Sequence, residues 1–88
     1  MARPHIAVID DDDKITSLLR RSLAFEGYDV STAQDGGEGL KLLSGRHADL
    51  IILDVMMPKM DGWEVCRRLR EAGIASPVLL LTAKDEIQ

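Results

Sequence analysis

The sequence has little that would cross-link the chain, anchor it in a membrane or bind nucleic acid. Cys66 is the single cysteine among 88 residues, so no disulfide can form within the chain, which fits a reducing cytoplasmic compartment. No apolar stretch approaches the ~20 residues that a spanning helix needs. No apolar core follows Arg3, so the first residues do not form a signal peptide. The net charge of −4 argues against a nucleic-acid-binding surface within these residues.

The composition is instead typical of one small globular domain. Apolar residues make up 45% of the chain and charged residues 30%, a balance that separates it from disordered sequences. A domain of about this size buries only ~60% of the surface of its unfolded chain. We therefore expect residues 1–88 to form one domain, in which the loss of any single helix or strand would lower stability.

Short apolar runs alternate with amphipathic stretches along the whole chain. This alternation predicts strands at 6–9, 28–33, 49–54 and 78–82, with a break at 35–37 after the second strand. It predicts helices that follow Asp13, that lead through Leu40 to Gly45 and that run from about 62 to 72, with a further helix opening at 84–88. Leu50 to Leu53 are apolar throughout, which indicates a strand buried on both faces. Strands that alternate with helices imply right-handed crossovers and a parallel sheet. The predicted fold is therefore α/β, a doubly wound parallel sheet.

The first predicted helix has clear start and stop signals. Asp13 is predicted to cap its amino end, and Gly27 to end it, because glycine tolerates positive φ. Apolar positions that recur every three or four residues predict one buried face. That face consists of Ile15, Leu18, Leu19, Ser22 and Leu23.

Carboxylates follow two of the predicted strands. Asp10 and Asp11 open a run of four aspartates after the first strand, and Asp54 ends the third strand. In a flavodoxin-like strand order, 2-1-3-4, these two strands are neighbours, so the three side chains would converge at one edge. Like charges at such range favour a bound cation, and oxygen ligands suit Mg²⁺. A solvated acidic loop is the alternative interpretation of the run.

A carboxylate beside Mg²⁺ is a sound acceptor for a phosphoryl group, because the metal neutralises charge on the incoming group. Asp54 is therefore the candidate acceptor. Thr82 ends the fourth predicted strand, beside the third, where its hydroxyl could hydrogen-bond a phosphoryl group on Asp54. The alternative role for Thr82 is to cap the next helix.

Three segments resemble the receiver domains of bacterial two-component response regulators. They are VIDDD at 8–12, LDVMMPKMDG at 53–62 and LLTA at 80–83, and they occur in the family's order and spacing. The resemblance implies a flavodoxin-like (CheY-like) fold in which Asp54 is the phosphoacceptor. It implies that Asp10, Asp11, Asp54 and the backbone carbonyl of Met56 bind Mg²⁺. Thr82 would be the switch residue that is drawn toward phosphorylated Asp54.

The family's pattern implies a signalling switch rather than an enzyme. A sensor histidine kinase would phosphorylate the domain, which would control an output. The strings PKMDGW at 58–63 and TAKD at 82–85 look most like regulators of the OmpR/PhoB type, which bind DNA through a separate output domain. A haloacid-dehalogenase-type phosphatase would instead need a second aspartate at position 56, where Met56 stands.

The sequence departs from the family's pattern at its carboxyl end. Receivers have five strands and five helices, whereas residues 1–88 are expected to form an incomplete receiver that lacks the fifth strand, the last helix and the output domain. No residue matches the family's lysine on the fifth strand. The fourth strand would then present an apolar edge that invites pairing with another chain. A homodimer, a swapped oligomer, or a fragment that self-assembles without sustained phosphotransfer is the alternative expectation.

Overall fold

The computed structural model describes residues 3–81, which form a four-stranded sheet with helices packed on both faces. Thr82 and the helix predicted at 84–88 lie outside these residues. Within residues 3–81, each helix is too short or too polar to cross a lipid bilayer. The strands are β1 (His5–Ile9), β2 (Asp29–Ala33), β3 (Leu50–Asp54) and β4 (Val78–Leu81), and the helices are α1 (Asp13–Phe25), α2 (Gly36–Gly45) and α3 (Gly62–Glu71).

All strand pairs are parallel, and the order β2-β1-β3-β4 confirms the predicted doubly wound sheet. β1 lies between β2 and β3, with Ile6 opposite Val30 on one side and Leu50 on the other. β3 also pairs with β4, where Ile51 lies opposite Val78. Every residue of β1 is buried, as are residues 51–53 of β3. The continuous apolar runs of these central strands are thus explained by helices covering both faces.

Alternate residues of the central strands feed two separate cores. One core lies under α2 and α3, where Val65 and Leu69 are completely buried. The other lies under α1 and is smaller, because α1 is the one helix within residues 3–81 that covers that face. The first core consists of Ala7, Ile9, Ala33, Leu43, Ala48, Ile51, Leu53, Met57, Val65 and Leu69, and the second of Ile6, Val8 and Ile52. Both faces of the sheet therefore contribute apolar burial, the main stabilising contribution in a domain of this size.

Aspartates cap the amino ends of the three helices in the described part of the chain. The carboxylates of Asp12, Asp35 and Asp61 each accept a hydrogen bond from a backbone N–H of the first turn. The prediction that Asp13 caps α1 was wrong by one residue, because the Asp12 carboxylate occupies the cap and Asp13 is the first helical residue. Gly27 follows the end of α1 with φ of 101°, which confirms its predicted role.

The predicted buried face of α1 is only partly correct. Leu19 and Leu23 pack against the core, but Ile15 is 38% exposed and Leu18 is 55% exposed. Thr16, not predicted, is the buried residue of the helix, and its hydroxyl is satisfied by the carbonyl of Asp13 at 3.1 Å. Ser22 is also exposed. The helix is rotated so that residues 16, 19 and 23 face the sheet. Residues 15, 18 and 22 have the same spacing, so periodicity alone does not identify which of the two sets is buried.

Candidate functional site

The carboxyl edge of the sheet brings together three carboxylates, as the sequence predicts. Asp10 directly follows β1, Asp11 is the next residue, and Asp54 ends the neighbouring strand β3. One carboxylate oxygen from each residue lies within 4.8 Å of the other two. The set offers only oxygen donors at a spacing that a single hard cation can bridge.

Asp10 is the most deeply buried member of the cluster, with 4% of its surface exposed. Its backbone N–H continues the ladder to β2 by donating to the carbonyl of Ala33 at 3.0 Å. Its Oδ1 accepts the N–H of Asp12 at 2.9 Å, which favours the charged form. Burial acts more strongly in the opposite direction and, with the nearby charges of Asp54 and Asp11, raises the pKa of Asp10 to about 6.

Asp54 is more accessible than Asp10. It is half-buried at the end of β3, opposite Leu81 of β4, and its Oδ1 accepts the N–H of Met56 at 3.2 Å. The side chain of Met56 is 64% exposed. The N–H of Val55 donates to the carbonyl of Leu81 at 3.0 Å, so the backbone after Asp54 remains fixed to the sheet. Asp54 thus combines a rigid backbone with a carboxylate that solvent can reach.

The loop from β3 to α3 is compact and locally strained. Met57 points into the core and is 8% exposed. Lys59 adopts φ of 70°, an uncommon conformation for a residue with a side chain. The N–H of Met60 donates to the carbonyl of Pro58 at 2.7 Å, which closes a three-residue turn centred on Lys59. This turn reverses the chain so that α3 starts against the end of β3.

The structure describes most, but not all, of the predicted site residues. It brings Asp10, Asp11 and Asp54 together, and it places Met56 next to Asp54 through its N–H. The predicted metal-binding role of the Met56 carbonyl stays a prediction. Thr82 lies outside the described residues, so its predicted place beside Asp54 also stays a prediction.

The family resemblance implies that Gly62 helps to shape the loop after Asp54, but two backbone contacts of the site were not predicted. The carbonyl of Leu81 anchors the peptide that follows Asp54, and Gly62 at the start of α3 touches that same peptide. A glycine at the first turn of a helix, eight residues after Asp54, is a signal that could have pointed to a close backbone approach.

A wide groove with a volume of about 750 Å³ lies elsewhere, at the opposite edge of the sheet. Residues 43–49 and 73–77 form its walls, and none of the three clustered carboxylates lines it. We assign the candidate functional site to the carboxyl edge, because the residues that line the groove include no comparable group of carboxylates.

The comparisons with known proteins identify the family of the chain. The family model described as "Response regulator receiver domain" matches residues 6–88. Response regulator MprA from Mycobacterium sp. (strain KMS) is 52% identical over 82 residues, which cover 93% of this chain and 36% of MprA. The alkaline phosphatase synthesis transcriptional regulatory protein PhoP from Bacillus subtilis (strain 168) is 53% identical over 81 residues, which cover 92% of this chain and 34% of PhoP. The chain thus spans about a third of these curated relatives.

Solved structures show the same fold at high similarity. Chemotaxis protein CheY4 from Vibrio cholerae superposes with a TM-score of 0.91 at 33% identity, covering 97% of this chain and 72% of CheY4. Response regulator TrrA from Thermotoga maritima, solved in complex with Mg²⁺-BeF, gives a TM-score of 0.86 at 39% identity, covering 93% of this chain and 71% of TrrA. The match of the family model to residues 6–88, on a sheet of the expected order, shows that this chain belongs to the response regulator receiver domain family.

Proposed function

We propose that the protein is a phosphorylation-dependent signalling switch in which Asp54 accepts a phosphoryl group from a sensor histidine kinase. The observation that carries the proposal is the cluster of carboxylate oxygens within 4.8 Å of one another, at the ends of adjacent strands in a receiver-family fold. An oxygen of Asp54 attacks the phosphorus of phosphohistidine. The new O–P bond yields an aspartyl phosphate, while the P–N bond breaks and its electron pair returns to the imidazole.

Asp54 is a better acceptor than its neighbours for physical reasons. Asp10 is almost completely buried, with 4% of its surface exposed, so a partner's phosphohistidine has little access to its carboxylate. Asp54 is half-buried at the end of a paired strand, so a partner's phosphohistidine can reach it. The N–H of Met56 holds Oδ1 of Asp54 and thereby orients the carboxylate.

Asp10, Asp11, Asp54 and the backbone carbonyl of Met56 are the proposed ligands of Mg²⁺. The donors fit the ion, because three carboxylates supply hard oxygens, and a cation would offset the burial and the neighbouring charges of Asp54 and Asp11 that raise the pKa of Asp10. When bound, Mg²⁺ would neutralise negative charge on the transferring phosphoryl group. The complex of the relative TrrA with Mg²⁺-BeF supports this assignment.

The remaining parts of the proposal concern the response to phosphorylation. Thr82 follows β4 in sequence and is the proposed sensor, drawn toward the phosphoryl group on Asp54. Similarity to MprA and to the transcriptional regulatory protein PhoP supports control of transcription in the cytoplasm, through an OmpR/PhoB-type output domain that contacts DNA. The domain acts as a switch rather than as an enzyme with a separate substrate.

The test is phosphorylation by acetyl phosphate, followed by intact mass spectrometry with and without Mg²⁺. We expect one phosphoryl adduct that requires Mg²⁺ and is lost in Asp54→Asn. Asp61→Asn is the matched control, because it makes the same chemical change at a helix cap outside the cluster and should keep the adduct. An adduct that persists in Asp54→Asn, or its absence from folded wild-type protein, would contradict the proposal.

A further inference from the structure

The first residue of α3 lies against the backbone of the proposed phosphoacceptor. The N–H of Gly62 donates to the carbonyl of Val55 at 2.9 Å. A Cβ atom added to Gly62 would lie 2.5 Å from the carbonyl oxygen of Asp54, 2.8 Å from Cα of Val55 and 3.1 Å from the carbonyl carbon of Asp54. All three neighbours are backbone atoms, so no side-chain rotation can make room for a methyl group.

The Asp54–Val55 peptide is constrained on two sides. The N–H of Val55 is bonded to the carbonyl of Leu81, and Asp54 lies opposite Leu81 in the β3–β4 ladder. The peptide is therefore held between β4 on one side and the start of α3 on the other. A residue larger than glycine at position 62 must displace this peptide, displace α3, or do both.

A displacement of this peptide would reach the proposed ligands directly. The carboxylate of Asp54 extends from the displaced residue, and its bond to the N–H of Met56 is already long at 3.2 Å. The carbonyl of Met56 belongs to the second residue after Asp54. Two of the four proposed Mg²⁺ ligands thus depend on the position of one peptide, whereas Asp10 and Asp11 follow a different strand.

We infer that Gly62 is a positioning residue, which sets the geometry of the Asp54 carboxylate and the Met56 carbonyl by allowing α3 to abut the acceptor's own peptide. This inference rests on the proposed function above. A merely structural role would predict that Gly62→Ala lowers stability while its folded molecules bind Mg²⁺ as tightly as the wild type. The positioning role predicts weaker binding in folded molecules.

Gly45 supplies a matched control, because it is also a helical glycine. It ends α2, and a Cβ atom added there would meet nothing within 4 Å. Gly45→Ala makes the same chemical change without backbone contact, and alanine is the better helix former. We expect Gly45→Ala to bind Mg²⁺ with an affinity within about twofold of the wild type, since no supporting contact of the site is altered.

The experiment is calorimetric titration of each protein with Mg²⁺ at pH 7.5, with acetyl phosphate labelling at saturating Mg²⁺ and circular dichroism as the check on folding. We expect Gly62→Ala to lose about 10–100-fold in Mg²⁺ affinity, the usual effect of disturbing groups that support metal ligands. Labelling should remain slower than in the wild type even at saturating Mg²⁺. Folded Gly62→Ala with wild-type affinity would overturn the inference and leave the proposed function intact, whereas wild-type protein that binds no Mg²⁺ would overturn both.

A second measurement uses only wild-type protein and remains decisive if Gly62→Ala does not fold. Hydrogen exchange of the Gly62 amide reports directly on its bond to the carbonyl of Val55. If this contact is coupled to the site, Mg²⁺ should slow exchange at Gly62 as well as at Met56. Slower exchange at Met56 with no change at Gly62 would overturn the inference.

Discussion

Replacing Asp10 by asparagine is expected to stabilise the metal-free protein at neutral pH, although Asp10 belongs to the proposed site. Asp10 is 4% exposed, and burial together with the charges of Asp54 and Asp11 raises its pKa from 3.8 to about 6. Asparagine keeps an oxygen that can accept the N–H of Asp12, which Asp10 now accepts at 2.9 Å. The substitution therefore removes a costly buried charge without leaving a polar group unsatisfied.

The magnitude follows from linkage between protonation and folding. The folded state binds the Asp10 proton more tightly than the unfolded chain does. The contribution of Asp10 to the free energy of unfolding therefore falls as pH rises from 3.8 to about 6 and is constant above that range. At about 1.36 kcal/mol per pKa unit, the wild type is penalised by about 3 kcal/mol at pH 7.5 and by about 1 kcal/mol at pH 4.5. The lowered pKa values of Asp29 and Glu64 act in the opposite direction, but they are common to both proteins and cancel in the difference.

The assay is urea unfolding of wild type and Asp10→Asn, followed by circular dichroism at pH 7.5 and pH 4.5 with a chelator present. The variant should be more stable by about 3 kcal/mol at pH 7.5 and by about 1 kcal/mol at pH 4.5. Asp35→Asn is the control, since asparagine and aspartate cap helices almost equally well. Binding to the folded state raises stability by mass action. Added Mg²⁺ should therefore stabilise the wild type more than Asp10→Asn, because the variant lacks one of the proposed carboxylate ligands.

Two results would refute this reasoning. If Asp10→Asn were no more stable than the wild type at pH 7.5, the buried carboxylate would not be the source of destabilisation. If the stability difference were the same at both pH values, the gain would come from packing or hydrogen bonding rather than from removal of the charge.

Three further predictions concern the scaffold around the site, each measured by urea unfolding. Leu69→Ala should cost about 2.7–5 kcal/mol, because Leu69 is completely buried in the core under α3, and a loss below about 1 kcal/mol would mean that the core collapses around the cavity. Lys59→Gly should gain about 1 kcal/mol by relieving its positive φ of 70°, whereas Lys41→Gly within α2 should lose a similar amount, and a loss at both positions would show that Lys59 is unstrained. Phe25→Ser should change stability by less than about 0.5 kcal/mol, since Phe25 is 89% exposed, and a loss above about 1.5 kcal/mol would show that its ring packs against the domain.

Much of the site could be predicted from sequence because parallel sheets impose a simple geometric rule. Alternating strands and helices predict that the carboxyl ends of all strands lie on one edge. Asp10, Asp11 and Asp54 each follow or end an apolar run, so their convergence needed only the strand order, which the structure confirms. The continuous apolar run at 50–53 likewise predicted the central place of β3 correctly.

The errors occurred where adjacent residues offer the same local chemistry. Asp12 and Asp13 are equally good cap residues by type, and the structure selects Asp12 as the cap of α1. The N–H of Asp12 is itself bonded to Asp10, so the conformation of the strand-to-helix turn decides which aspartate becomes the cap. On α1, Leu18 and Leu19 are equally apolar, yet the line through Leu19 faces the sheet.

The sequence by itself determined the order of elements, the parallel sheet and the identity of the clustered carboxylates, since these follow from apolar periodicity and from positions along the chain. Only the tertiary structure decided how deeply each carboxylate is buried, and hence that the pKa of Asp10 is raised to about 6. It alone decided that Gly62 touches the peptide of Asp54 and that Lys59 takes a left-handed conformation. Burial and backbone contact depend on atoms that different segments bring to one place, and spacing along a single segment carries no information about that distance.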